Sequence, residues 1–394
     1  LDARCASAVY YNGRIYTLED GLRTARAMAI ADGKVVALGN DSDVKRAAPR
    51  GCDRFDLGGK AVVPGFIDCH THFISMGIDM MNVDLSRTRS MAEAIALMKD
   101  AARRIPEGGW VIGAGWKESG WREGRFITAK DLDECCPRHK AVAHRVCMHM
   151  AAVNTLAMKE LGIDPKAPGV ETDAGGRPTG VLKEGAIEAV RGATAPDRAM
   201  KMKALTLATK RAHSLGVTSV QDNGDEGDVS IYRSAERSSK LAVRVWFNTR
   251  SDRIDCLVRL GLTTGIGSGL LKLGGLKVFC DGALGARTAA LSEAYVDDKW
   301  NKGMFVHSRK ELDDILTRAN EAEVQLAVHA IGDSGIEAVV SGMRAALERC
   351  PRKDHRHRIE HLELPTMRHL NEMHRLKVIA SMQPNFIGEW GGTE

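Results

Sequence analysis

The chain has 394 residues, 44% of them hydrophobic, and a net charge of +5. That is enough to bury a large core and too apolar for a disordered chain. Its cationic residues are interspersed with acidic ones, which argues against a nucleic-acid-binding surface, and no apolar stretch approaches the length of a membrane-spanning helix. The densest basic run, Arg352-Lys353-Asp354-His355-Arg356-His357-Arg358, precedes an apolar strand and reads as a solvated loop. Nine cysteines form no CxxC pair, and Cys135-Cys136 are adjacent, a poor geometry for an ordinary disulfide. Most sit in apolar contexts and read as buried thiols in a reducing compartment, so the cytoplasm is expected. The chain begins at Leu1 without Met, and no signal peptide is visible.

Residues 5–62 read as a small β-rich unit. Short strands are predicted at Ala8–Tyr11, Arg14–Thr17, Ala27–Ile30 and Lys34–Leu38, with Asn12-Gly13 and Asp32-Gly33 as two-residue hairpin turns. Next comes the apolar run Val62-Val63-Pro64-Gly65-Phe66-Ile67-Asp68-Cys69-His70-Thr71-His72. Alternate side chains of a strand share a face, so His70 and His72 project together from its C-terminal end. Two imidazoles on one face are half of a divalent metal site, unless the strand ends in two histidines by chance.

Residues 73–200 are irregular, too long for a loop, and read as an insertion that forms a substrate-facing lid or subdomain. A helix starts after Ser90, which forms a capping box with Glu93. The Gly- and Trp-rich stretch 108–124 reads as turns, and Trp110, Trp116 and Trp121 as either a pocket lining or insertion core.

From residue 200 onward strands and helices alternate. Strands are predicted at Val217–Gln221, Val243–Phe247, Gly275–Phe279, Gln325–His329, His357–His361 and Val378–Met382, with helices from Ala199, Ser308, Asp333 and Thr366. Repeated β-α units imply a parallel sheet. With the strand carrying His70 the count is seven, one short of a (β/α)₈ barrel.

In such barrels the chemistry sits at the C-terminal ends of the strands. His70 and His72, Lys277 with Asp281 beyond it, His329 and His361 all occupy such positions. Any one of these histidines alone would read as a core residue, and Lys277 as a side chain that snorkels outward. A buried Lys277 would lose its charge readily, and a neutral amine takes up CO₂ to form a carbamate. His355 and His357 lie at the wrong end of their strand, and His213, His369 and His374 read as surface positions. Asp222, Asp281 and Asp333 are not assigned as proton acceptors. There is no supporting arrangement for a Ser, Thr or Cys nucleophile and no phosphate-binding glycine loop.

The ordered set of motifs resembles the amidohydrolase superfamily, specifically amidohydrolase family 3, the YtcJ-like group that includes N-substituted formamide deformylases. It comprises Val63–Asp68 with the HxH, His149–Asn154, Gly180–Glu184, Thr218–Asp222, Leu276–Leu291, His329–Asp333, Ile359–His361 and Ser381–Pro384. The resemblance implies a TIM-like (β/α)₈ barrel of α/β class beside a small urease-like β-sandwich. Residues 1–62 would be the N-terminal part of that sandwich, and 63–394 the barrel with an insertion at about 73–200. It also implies a metal-dependent hydrolase that cleaves an amide, N-substituted formamide or related carbonyl substrate with a metal-activated water. His70, His72, Lys277 (as its CO₂-derived carbamate), His329 and His361 match the metal positions, with His329, His361 and Lys277 as the catalytic set. His149, Glu184 and Arg287 match substrate contacts, although Cys147 replaces the Asp usual two residues before His149. Zinc is expected, as one or two ions, with iron and manganese as alternatives. The partners expected are a small-molecule substrate and a second copy in a homodimer, with neither nucleic acid nor a membrane. The alternative is a catalytically silent binding or regulatory protein. The resemblance further calls for a general-base Asp on an eighth strand. The expectation is therefore that the 394 residues belong to a longer protein and would by themselves be inactive and poorly soluble.

Overall fold

The computed structural model describes residues 8–19, 23–48, 51–146, 150–384 and 386. Its centre is a sheet of seven strands, all parallel: β1 (Phe66–Thr71), β2 (Val217–Asp222), β3 (Arg244–Arg250), β4 (Leu271–Phe279), β5 (Gln325–Ala330), β6 (Arg358–His361) and β7 (Ile379–Ser381). They pair in sequence order, so β1 and β7 are the two edges among the described residues. This is the predicted order of strands, and each lies within a few residues of its predicted bounds.

The helices explain why these strands read as apolar on one side only. Leu276 and Val278 of β4, Leu326 and Val328 of β5 and Ile359 of β6 are fully buried. They pack with Leu312 and Leu316 of α5 (Arg309–Glu321) and with Ile336, Val339 and Met343 of α6 (Asp333–Arg349). Alternation then sends Lys277, His329, Arg358 and Glu360 to the other face. A second cluster joins β2 and β3 to α1 (Phe73–Asp79), α2 (Arg198–Ser214) and α3 (Glu226–Arg237), through Phe73, Leu205, Val220, Tyr232 and Phe247. The helix α4 (Ile254–Leu260) follows β3, and α7 (Met367–Leu376) follows β6. Ser308 and Glu311 close a capping box on α5, as the sequence suggests.

Between α1 and α2 the insertion builds its own six-stranded sheet. The stretch read as Gly- and Trp-rich turns contains one of its interior strands, Trp110–Trp116, next to the edge. Glycine is depleted in strands, but Gly113 is needed here: a Cβ would sit 2.6 Å from Met98 Sδ and 2.7 Å from Leu85 Cδ1. Trp116 and Trp121 stack at 5.6 Å inside the insertion core, so they are packing residues. Ser90 caps the helix Met91–Ala102 as expected, but Glu93 reaches back to the N–H of Arg89, not Ser90. Asn154 is the polar pin of this unit. Its Oδ1 accepts from Ala141 N and Ala157 N, and its Nδ2 donates to His139 O and Cys136 O. Asn154→Ala would strand these buried groups, and chemical denaturation should show a loss of roughly 3 kcal/mol. An unchanged midpoint would show that water replaces the side chain.

Other expectations change. Asp32-Gly33 makes the predicted hairpin, with both residues at positive φ and Ala31 opposite Lys34. Asn12-Gly13 does not, because Ala8–Tyr11 and Arg14–Tyr16 enter different sheets. The basic run is not wholly a solvated loop: His355, His357 and Arg358 are buried, since β6 starts inside it. His355 meets Leu376 O at 2.9 Å, and His357 meets Asn320 Oδ1 at 3.0 Å. His369, expected at the surface, is buried against Glu337. Of the described cysteines only Cys135, Cys136 and Cys280 are buried, so burial of most thiols does not hold. No described helix is long and apolar enough to cross a membrane.

Candidate functional site

The C-terminal ends of β1, β4, β5 and β6 bring His70, His72, Lys277, His329 and His361 together. Ring centroids lie 5.9 Å apart for His70 and His72, 4.8 Å for His70 and His361, and 4.6 Å for His329 and His361. Neighbouring strands set this spacing: β5 and β6 place Ala330 opposite His361, and β4 and β5 place Phe279 opposite His329. Lys277 is 3% exposed, with its Nζ 4.8 Å from the centre of the Phe279 ring. It therefore faces the barrel interior and does not snorkel.

Burial lowers the affinity of these groups for protons. It pushes His329 down to about 4 and, with the neighbouring His329, His70 and Lys277 charges, His361 down to about 3. His72 is pushed down as well, by burial and by His70 and Lys277, although the residue as a whole is exposed. Lys277 is pushed down to about 8, chiefly by burial. Near neutral pH, His329 and His361 are thus in the neutral form that ligates metals, and Lys277 has an accessible neutral amine.

Three partners orient the rings. Glu360 Oε2 lies 2.6 Å from His70 Nδ1, Gln383 Oε1 lies 2.7 Å from His361 Nδ1, and Gly282 O lies 2.9 Å from His329 Nε2. An acceptor on one ring nitrogen fixes the tautomer and leaves the other nitrogen to ligate. Glu360 is itself completely buried, where Ser381 Oγ donates to it at 2.7 Å and Arg358 lies alongside. Glu360 and Gln383 stood in quoted motifs without a role. The available signal was Arg358-x-Glu360, two charges at strand period inside an otherwise apolar strand.

By donor chemistry the set fits a divalent cation: neutral imidazoles, a lysine with a lowered pKa, and carboxylate or amide groups behind the rings. The rings are not drawn in around one point, however: no group of three or more His, Cys, Asp or Glu among the described residues is arranged to hold a metal ion. The carboxylates left unassigned are held by hydrogen bonds of their own, although Asp281 Oδ1 also lies 3.7 Å from His329 Nε2. Asp222 accepts from Phe73 N and Tyr232 OH, Asp281 from Ala290 N, Ile331 N and Gly332 N, and Asp333 from Ser292 N. Glu184 is exposed, and Arg287 is exposed with its guanidinium bound to Asp297 at 2.7 Å. His149 and Cys147 lie outside the described residues.

Comparisons with known proteins identify the family. YtcJ of Bacillus subtilis (strain 168), an amidohydrolase by name, is 32% identical over 396 residues, covering 96% of this chain and 73% of that protein. The N-substituted formamide deformylase of Arthrobacter pascens is 26% identical over 399 residues, covering 96% and 73%. An uncharacterized metal-dependent hydrolase from Pyrococcus furiosus superposes with a TM-score of 0.81 at 29% identity, covering 98% of this chain and 78% of that one. The model of the Amidohydrolase family matches residues 53–392, all seven strands of the barrel and its insertion included, and the chain belongs to that family.

Proposed function

We propose that the protein hydrolyses a C–N bond of an amide, N-substituted formamide or related carbonyl compound, with His70, His72, Lys277, His329 and His361 holding one or two divalent cations, zinc by preference. The observation that carries this reading is the convergence of these five side chains on one end of the barrel, with burial disfavouring charge on Lys277, His329 and His361. Family membership and the likeness to a metal-dependent hydrolase support the hydrolytic class and the need for a divalent metal. A bound cation would supply Lewis acidity and a water of lowered pKa.

The side chains have separable tasks. Glu360 orients His70, and Gln383 orients His361, so that each presents Nε2 to the site. The Lys277 ammonium first gives up a proton, and the neutral amine then adds CO₂ through a new N–C bond and releases a second proton, leaving a carbamate anion suited to divalent ions. The closed apolar layer outside β4 to β6 keeps bulk water from reaching Lys277 from behind. Glu184, Arg287 and His149 are assigned to substrate contact from their positions in the family motifs.

The test of the function is bound metal together with turnover on a panel of amides, lactams and esters. Stoichiometric metal without turnover of any of them would favour the silent, regulatory reading. For the carbamate, Lys277→Ala should lose metal and activity, with partial rescue by a short carboxylate. Protein loaded in ¹³C-bicarbonate should show a carbamate carbon signal that Lys277→Ala lacks. An unmodified amine at full metal occupancy would defeat the carbamate.

A further inference from the structure

A cavity of about 520 Å³ opens beside His361 on the C-terminal face of the barrel. Leu284 from the loop after β4, Leu364 from the chain leaving β6, and Met382 and Phe386 from the chain after β7 give it an apolar wall. His361 and Gln383 form the side toward the histidine cluster, and the Phe386 ring lies stacked at 9° to the His361 ring, 6.2 Å away. The turn that builds this wall is held under strain. His361 and Leu362 both have left-handed φ, 73° and 51°, which non-glycine residues adopt at a cost. Leu362 is fully buried and donates its N–H to Ala330 O, and Leu364 N donates to Ile331 O at 3.1 Å. This anchoring leaves Leu364, 40% exposed, at the cavity. Strained residues of this kind cluster where the fold must aim a functional group.

A volume of this order is typical of small-molecule sites, and the wall offers contacts suited to an apolar ring. Among the described residues no lysine or arginine lines it, and the one charged residue there, Glu363, is acidic. A carboxylate placed against that apolar wall would lose hydration with no cationic side chain of the described lining to replace it. The geometry points to a subsite, contiguous with His361, for an uncharged aryl or aryl-alkyl substituent flanking the scissile amide, from which a carboxylate is rejected. This inference rests on the hydrolase reading above and adds the class of substrate to it.

The test is a calorimetric series of dissociation constants on the metal-loaded protein, with turnover followed separately. N-methylacetamide is the reference. N-benzylacetamide and N-methyl-2-phenylacetamide place the ring on either side of the bond, and N-(4-carboxybenzyl)acetamide adds the anion. At least one aryl amide should bind on the order of tenfold tighter than the reference, since a buried phenyl ring removes much apolar surface from water. The carboxybenzyl compound should fall back to the reference or below. Leu364→Arg, at a partly exposed position, should recover about tenfold in carboxybenzyl binding, and Met382→Arg serves if the first variant does not fold. Equal binding of methyl and aryl amides, no binding by any amide, or carboxybenzyl binding equal to benzyl in the unaltered protein would each overturn the subsite. Selective binding without turnover would keep the subsite and defeat the hydrolase reading. Turnover without selectivity would do the reverse.

Discussion

Changing His70 and His72 together to alanine should bring bound divalent metal to background in elemental analysis. Hydrolysis should fall by three or more orders of magnitude, since a metal supplies several kcal/mol and each ~1.4 kcal/mol is a factor of ten. The two rings leave the end of one strand, 5.9 Å apart. Losing both removes two of the five donors at once, and His329, His361 and Lys277 come from three other strands. The metal-free protein should still fold, because His72 is exposed and His70 only partly buried, but its thermal midpoint should drop, since the buried Glu360 loses its bond to His70. Full metal content in the double variant would mean that the ligands lie elsewhere.

The second large effect is expected at Glu360. Burial pushes its carboxyl up, but the bond to His70, the Arg358 charge and the Ser381 hydroxyl outweigh it and hold the group down to about 2, against an ordinary 4.5. A carboxylate depressed in the folded state contributes stability above its unfolded pKa and loses it as pH falls through the folded one. The window is therefore about pH 4.5 down to about 2, and the amount is roughly 3 kcal/mol. Glu360→Gln should abolish that part of the acid limb in denaturation experiments. It should also weaken metal affinity by about 10–100-fold, because His70 would keep at most a neutral amide acceptor where a carboxylate raises its basicity. Glu360→Leu should be worse at neutral pH, by roughly 3–5 kcal/mol, since Arg358 would be left as a buried charge without its counter-ion. Identical acid limbs in the unaltered protein and the Gln variant would sink this account.

Much of the site was legible because its signals are local and periodic. An apolar strand that ends in two histidines, and a lysine between Leu276 and Val278, report their faces through the two-residue repeat alone. The alternation of strands with capped helices likewise reports a parallel sheet, and Ser308 with Glu311 marks where α5 starts. The same local reading misjudged residues whose environment is made by distant chain. Gly113 looked like a turn residue, yet Leu85 and Met98 crowd it from elsewhere in the insertion. The charges at Arg352–Arg358 looked solvated, yet β6 carries Arg358 into the barrel beside Glu360. His369 had no local sign of burial, because Glu337 on α6 supplies its partner.

The chain by itself determined which side chains of β1, β4 and β5 face inward, and so brought His70, Lys277 and His329 to the C-terminal end of the barrel, whereas His361 has the parity of the outward Ile359 and carries a left-handed φ of 73°. Side-chain period along a strand is a property of backbone geometry and needs no partner. What stands behind those donors was decided only in three dimensions. Glu360 meets His70 across 290 residues, and Gln383 meets His361 because successive parallel strands lie side by side. The proton affinities follow the same division. A histidine is written in the sequence, but the desolvation that keeps His329 and His361 neutral exists only once the strands and helices have closed around them.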